Sequence, residues 1–191
     1  KLLSSPKGRY EASSLLLEGT NLLQEALKND CKPYEIVVTP EWIEKHSEIF
    51  NDLNNEMKVN IVTKPVLKAS LTTVNPDGVG SLLSFDALPK LKQEADFVLA
   101  LDRIQDPGNL GTLFRTALAA EIEVVWLALG ADPLAQKTLR SSAGALFNLP
   151  FQRFGDSENN AVKQLSKMLM KAQCRGLQVV CTFSPLAAVS S

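Results

Sequence analysis

The sequence is poor in residues that bind metals or form disulfides. Its 191 residues include three cysteines and one histidine. Cys31, Cys174 and Cys181 show no CxxC spacing, whereas a structural zinc site usually needs four Cys or His ligands. We therefore expect no metal site. Cysteines that are odd in number and follow no pairing pattern are typical of a reducing, intracellular compartment, either cytoplasmic or organellar.

Long hydrophobic runs and an excess of one charge are also missing. No apolar stretch approaches the roughly 18 residues that a membrane span needs, so we expect no membrane partner. Lys and Arg number 20 while Asp and Glu number 21, and this balance excludes a global positive field that would attract a polyanion. A basic cluster of Lys1, Lys7 and Arg9 predicts a mobile N-terminal arm, either a solvated tail or an arm that contacts phosphate.

The first half of the sequence has the pattern of a small α/β unit. Gly19 separates a strand from a helix, because glycine costs about 1 kcal/mol inside a helix and little in a turn. Pro89 and mixed charges predict a linker over residues 87–95, between a domain over 1–86 and a second over 96–191. The predicted elements of the first domain are strand 14–18, helix 21–28, strand 35–39, helix 41–54, strand 58–63, helix 65–71 and strand 79–85.

From Asp96 onward, strands and helices alternate strictly. Residues 97–101 are all apolar, as expected for a strand of a parallel sheet that is covered on both faces. The alternation predicts a doubly wound parallel sheet with right-handed crossovers. The predicted elements are strand 97–101, a helix that begins at Asn109, strand 124–129, helix 134–142, strand 151–154, a helix from Asp156 or Ser157 to Arg175, and strand 177–182.

The loop after the first of these strands is where a ligand is expected, because doubly wound sheets bind ligands beyond the carboxyl ends of their strands. Pro107 and Gly108 predict a tight turn, and Asn109 can cap the following helix. Arg115 lies off the apolar stripe of that helix and points into the crevice or into solvent. From spacing alone, ordinary capping and a solvated arginine are the commoner explanation. The G-x-x-G spacing disfavours a dinucleotide site.

A family resemblance adds to this pattern. Residues 105–117, Gln-Asp-Pro-Gly-Asn-Leu-Gly-Thr-Leu-Phe-Arg-Thr-Ala, resemble the first signature motif of the SpoU (TrmH-like) RNA ribose 2'-O-methyltransferases of the SPOUT superfamily, D-P-x-N-x-G-x-x-x-R-T-A. Residues 139–150 are similar to the segment that precedes the third strand in that family. Residues 9–11, 15–19 and 71–84 resemble the substrate-binding domain of many members. The resemblance implies a small N-terminal α/β RNA substrate-binding domain followed by a doubly wound SPOUT-type domain.

The resemblance also implies an activity and a set of site residues. Members transfer a methyl group from S-adenosylmethionine to a ribose 2'-hydroxyl of tRNA or rRNA, and the complete protein is expected to be a homodimer. Arg115 matches the catalytic arginine of the family. Asn109 matches the asparagine of the motif and is expected to orient Arg115 and the start of the helix. We expect Lys7, Arg9 and Arg103 to contact RNA, and Thr182 to lie nearest the methyl donor.

The sequence departs from the family pattern at its end. The family's second motif, N-x-E-x-x-G, and third motif, S-L-N-V-S, follow the strand equivalent to residues 177–182 and form a trefoil knot. Here residues 183–191 read Phe-Ser-Pro-Leu-Ala-Ala-Val-Ser-Ser. The resemblance therefore implies a methyltransferase domain truncated before the knot, and we expect this exact chain to bind the donor poorly.

Two other functions remain open. A non-catalytic RNA-binding or assembly protein could have kept the substrate domain and the first motif alone. A small-molecule α/β enzyme has little support, because His46 stands alone and no nucleophile lies in a G-x-S-x-G context. We expect Trp42 and Trp126 to be packing residues and not platforms for RNA bases.

Overall fold

The computed structural model describes residues 2–92, 94–155 and 157–182. Its first sheet has four strands in the order β1-β4-β2-β3. The strand β4 is antiparallel to both β1 and β2, while β2 and β3 are parallel. The strands are β1 Ser14–Glu18, β2 Glu35–Val38, β3 Val59–Ile61 and β4 Val79–Ser84. The helices of this part are α1 Pro6–Ala12, α2 Thr20–Lys28, α3 Pro40–Lys45, α4 Ser47–Glu56 and α5 Lys64–Ser70.

Local chemistry explains where several of these elements begin. Gly19 has φ +101°, a conformation that glycine adopts without strain, and it separates β1 from α2 as predicted. The Thr39 hydroxyl accepts a hydrogen bond from the Trp42 backbone N–H at 3.3 Å, and Pro40 follows it as the first helical residue. The single helix predicted over 41–54 is wrong: the chain breaks at His46, which has φ −131°, and forms α3 and α4.

The second sheet is parallel, with the order β5-β6-β7. Its strands are β5 Val98–Asp102, β6 Val124–Ala128 and β7 Phe151–Phe154, and its helices are α6 Pro107–Ala119, α7 Gln136–Ser142 and α8 Glu158–Cys174. Val125 and Leu127 pack on the side of α6 and α7, while Trp126 packs on the side of α8. Helices thus cover both faces of a parallel sheet, as predicted, and Trp126 is a packing residue.

The two sheets share one hydrophobic core. Leu15, Leu17 and Leu83 of the first sheet lie in the same buried cluster as Leu110 and Phe114 of α6. The predicted boundaries of the two domains stay a prediction. Among the described residues, no helix combines the length and apolar character that crossing a bilayer demands.

The predicted strand over residues 177–182 is wrong. These residues are irregular in the structure, and Val180 is 76% exposed. Their β-branched composition favours a strand, but that preference is expressed only where the backbone finds a neighbouring strand to complete its hydrogen bonds. Gly176, at φ +99°, ends α8, and Leu177 then packs against the cluster beneath that helix.

The predicted mobile N-terminal arm is also wrong at Arg9. The arm is helix α1, capped by the Ser5 hydroxyl, which accepts a hydrogen bond from the Gly8 N–H at 3.1 Å. Arg9 is 4% exposed. Its guanidinium donates to the Leu3 carbonyl at 2.9 Å and pairs with Asp132 in the loop after β6. A buried, paired arginine is not available to an RNA phosphate, so the prediction that Arg9 binds RNA is withdrawn.

Candidate active site at the carboxyl edge of the parallel sheet

Helix α6 begins with a cap that differs from the predicted one. The Asp106 carboxylate accepts a hydrogen bond from the Asn109 N–H at 2.8 Å and another from the Lys137 ammonium at 2.8 Å. The bond from Lys137 is the main reason that the pKa of Asp106 lies below its usual value, and the Asn109 N–H adds to it. Asn109 therefore lies inside the first turn, and Asp106 is the cap, because Pro107 occupies the first helical position.

Gly111 sets the close contact between α6 and α7. A Cβ atom at this position would lie 2.0 Å from the Ser141 Oγ and 2.7 Å from the Ser142 backbone nitrogen. The Ser141 hydroxyl is 3.2 Å from the Pro107 carbonyl. The two motif-like stretches, 105–117 and 139–150, therefore meet at this point.

Arg115 lies one turn beyond this contact and is exposed. Its neighbours Phe114 and Ala117 are buried in the core, which places its side chain off the apolar stripe as the sequence predicted. The guanidinium has no hydrogen bond or ion pair with any described residue. All five of its N–H donors are therefore available to a ligand.

Asn109 and Arg115 form no hydrogen bond with each other in the structure. Its side chain is exposed and makes no hydrogen bond with the guanidinium. Six residues of helix separate the two by about 9 Å along the axis and about 120° around it. The role predicted for Asn109 toward Arg115 thus stays a prediction, while its backbone N–H does take part in the helix start.

Arg103 lies at the end of β5 and is neutralised by carboxylates. Its guanidinium donates to Asp102 at 2.8 Å and pairs with Glu158 of α8. The hydrogen bond to Asp102, followed by that to Glu158, raises the pKa of Arg103. Exposed pairs of this kind are weak, but an RNA phosphate that bound Arg103 would still compete with two carboxylates.

The cations around the start of α6 thus differ in availability. Arg103 and Lys137 are paired with acids, whereas Arg115 is not paired with any described residue. An exposed guanidinium without a partner, on the first helix after β5, can donate hydrogen bonds to an oxygen that gains negative charge.

Two family models match the chain. Residues 96–183 match the SpoU rRNA Methylase family, and residues 1–80 match an MRM3-like substrate binding domain. The region over residues 96–183 thus belongs to the SpoU rRNA methylase family.

Two bacterial proteins are among the relatives of this chain. It is 38% identical over 183 residues to an uncharacterized tRNA/rRNA methyltransferase of Synechocystis, with 94% of this chain and 64% of the relative covered. It is 36% identical over 155 residues to the 23S rRNA guanosine 2'-O-methyltransferase RlmP of Bacillus subtilis, with 80% of this chain and 59% of RlmP covered. The chain thus spans about three-fifths of the length of these relatives.

A solved structure shares the fold of the SpoU chain. The AdoMet-bound rRNA methyltransferase of Sinorhizobium meliloti superposes with a TM-score of 0.64 at 27% identity, over 90% of this chain and 62% of the relative. This likeness agrees with the predicted arrangement of a small α/β domain followed by a doubly wound sheet.

The residue predicted to lie nearest the methyl donor finds no polar partner in the part of the chain that the structure describes. Thr182, predicted to lie nearest the donor, is exposed and makes no hydrogen bond with any described residue. The departure from the family motifs at residues 183–191 lies outside the described residues.

The sequence did not predict the residues that anchor the helix carrying Arg115. Asp106, Lys137 and Ser141 join the start of α6 to α7. Asp-Pro at 106–107 is a recognisable signal for a helix start, since aspartate caps well and proline suits the first turn. No local signal identifies Lys137 or Ser141, because they meet α6 only after the chain has passed through β6.

Lys7 is exposed and lies 3.7 Å from Glu11, so its proposed RNA contact stays a prediction.

Proposed function

We propose that the protein containing this chain transfers a methyl group from S-adenosylmethionine to a ribose 2'-hydroxyl of tRNA or rRNA. The observation that carries the proposal is the exposed guanidinium of Arg115 on the first helix after β5, which has no partner among the described residues. The names of two relatives support it: one is a 23S rRNA 2'-O-methyltransferase, and the other is an rRNA methyltransferase solved with AdoMet bound.

Methyl transfer to a hydroxyl forms an O–C bond, breaks a C–S bond and releases the hydroxyl proton. The donor supplies an electrophilic methyl group, and what this chain contributes lies on the acceptor side. Arginine stays protonated at neutral pH, so Arg115 donates hydrogen bonds to the ribose oxygen as negative charge develops there and does not itself remove the proton. The proton passes to solvent or to an RNA phosphate.

The contacts between α6 and α7 fix the helix that carries Arg115. Gly111 allows α6 to lie against α7, and Asp106 fixes the first turn of α6 through the Asn109 N–H. Positioning of this kind is a large part of catalysis, since small displacements of a catalytic group cost rate.

A second function is favoured by one observation: Thr182, the residue predicted to lie nearest the methyl donor, is exposed and has no polar partner among the described residues. It is the non-catalytic RNA-binding or assembly protein that the sequence left open. On either function the partner is RNA. A homodimer, and a cytoplasmic or organellar location, are the accompanying proposals.

The test compares Arg115→Ala and Arg115→Lys with the exposed control Lys45→Ala in the protein that contains this chain. Incorporation of labelled methyl groups into tRNA and rRNA transcripts is measured. Loss of one charge-stabilising donor lowers such rates about 100-fold to 1000-fold, and we expect Arg115→Ala to show a loss of this size. Lysine keeps the charge but not the planar fork of donors, so Arg115→Lys should recover part of the activity. Full activity of Arg115→Ala would refute the proposed role.

A further inference from the structure

Helix α8 carries a row of four cations at intervals of four residues. They are Lys163, Lys167, Lys171 and Arg175, which directly follows the helix, and all four are exposed. We call this row the basic ridge. Residues four apart lie on neighbouring turns of one helix side, and twelve residues of helix extend about 18 Å. The ridge therefore concentrates positive charge on one surface of a chain whose net charge is −1.

The ridge has few acidic neighbours. None of its three lysines forms an ion pair or a side-chain hydrogen bond with a residue that the structure describes. Arg175 donates to the Ala95 carbonyl at 2.6 Å and lies 3.9 Å from Asp96. Glu158 is the acid within α8 itself, and its carboxylate pairs with Arg103. Like charges four residues apart repel each other on a helix. Lys171 and Arg175 complement the dipole at the carboxyl end of α8, but Lys163 and Lys167 lie away from that end and stabilise the helix by no ion pair with a described residue.

The ridge ends at a cavity with a further cation. Lys171 and Arg175 line this cavity of about 270 Å³, together with Lys92 and the Trp126 ring. Lys92 pairs with Glu123 at 3.1 Å. Three cations thus meet at the carboxyl end of α8, where Glu123 and Asp96 are the acids that contact two of them, and α8 packs on the face of the parallel sheet opposite α6.

The chemistry of α8 favours a phosphate backbone over a lipid surface. An interfacial helix inserts an apolar face into the bilayer, but the apolar face of α8 is already packed on the sheet through Ala161, Leu165 and Ala172. The exposed apolar residues of the helix, Val162 and Met170, are single side chains among polar ones. The outer surface offers charge without an inserting face, as in surfaces that track nucleic-acid backbones.

We propose that the basic ridge is a second RNA-binding surface, which contacts phosphates of the substrate RNA away from the nucleotide that Arg115 acts on. The inference rests on the proposed function for the identity of the RNA. It assigns to α8 a role in affinity and not in chemistry, because phosphate contacts position a nucleic acid without specifying a base.

The test is a triple variant, Lys163→Gln, Lys167→Gln and Lys171→Gln, in the protein that contains this chain. The matched control, Lys28→Gln, Lys45→Gln and Lys90→Gln, removes the same charge from exposed sites outside the ridge. Fluorescence anisotropy measures binding of a fluorescein-labelled RNA hairpin and a labelled single strand over a range of salt concentrations. Each phosphate contact contributes about 0.7–0.9 to the slope of log K against log salt. We expect the ridge variant to lower the slope by about 2 and to bind at least 10-fold more weakly at low salt, and the control to keep the wild-type slope.

The outcomes separate the ridge from the proposed function. An unchanged slope in the ridge variant overturns the ridge proposal whether or not Arg115→Ala is inactive. An equal loss in the control also overturns it, because the effect is then one of net charge. If phosphatidylserine vesicles bind the wild type through the ridge while RNA binding does not depend on it, the surface is a lipid surface and the proposal fails. A ridge variant that loses RNA affinity supports the ridge even if Arg115→Ala keeps full activity, a result that refutes only the proposed chemistry. Circular dichroism verifies that both triple variants are folded.

Discussion

Glu18 is a nearly buried carboxylate, 5% exposed, that is bound by one turn of the chain. It accepts hydrogen bonds from the Thr72 N–H at 2.8 Å and hydroxyl at 2.7 Å, and from the Thr73 N–H at 2.8 Å and the Thr73 hydroxyl. Burial by itself raises the pKa of Glu18, but these hydrogen bonds outweigh it and the net pKa is lowered. At the residue scale, Glu18 therefore holds the turn after α5 through its charge.

We expect Glu18→Gln to destabilise the protein at pH 7 by about 1–3 kcal/mol, because the amide group cannot accept all four hydrogen bonds. Folding lowers the pKa of Glu18, so its stabilisation is complete above the unfolded value of about 4.3 and is lost as the pH falls through the lower folded value. Urea unfolding at pH 7 and at about pH 3 measures this. The difference between wild type and variant should shrink in acid, while the exposed control Glu44→Gln should show little effect at either pH. A difference independent of pH contradicts the assignment.

At the scale of elements, the position of α6 on α7 depends on Gly111. A methyl group there meets the Ser141 side chain and the Ser142 backbone, so we expect Gly111→Ala to cost about 1–3 kcal/mol, as overpacking does. Ser141→Gly in the same chain removes the side-chain part of this clash. A double-mutant cycle measured by urea unfolding should therefore show favourable coupling between the two substitutions. Additive effects would mean that the helices do not meet as described.

At the scale of the whole molecule, the pair between Arg9 and Asp132 ties the first helix to the loop after β6. Both side chains are under 10% exposed. Removing one partner of a buried pair costs about 3–5 kcal/mol, because the other charge stays buried. We expect Arg9→Met to show a loss at the lower end of this range in urea unfolding, since Arg153 remains 3.9 Å from Asp132. Lys7→Met on the same helix is the control, since its contact with Glu11 is exposed. Adding Asp132→Asn to Arg9→Met should recover part of the stability. If Arg9→Met and Lys7→Met lower the free energy of unfolding equally, the structural role of the pair is contradicted.

The sequence by itself determined the features that depend on neighbouring residues. The bounds of β1 and β7 agree with the predicted strands, Gly19 marks the turn into α2, and Arg115 lies off the buried stripe of α6. Each follows from local periodicity or from the conformational needs of one residue. The same is true of family membership, which a short motif over residues 105–117 was sufficient to indicate.

Only the tertiary structure decided features whose partners are distant in the chain. Arg9 lies in a segment with the composition of a basic arm, but its guanidinium meets Asp132, 123 residues away in the chain, and the two form a buried ion pair. Residues 177–182 have the composition of a strand, but without a neighbouring strand they remain irregular. Hydrogen bonds and ion pairs need a partner, and the partner is chosen by the fold and not by the local sequence. For the same reason, the free guanidinium of Arg115 and the unpaired lysines of α8 could be recognised only once every nearby acid in the described structure had been placed.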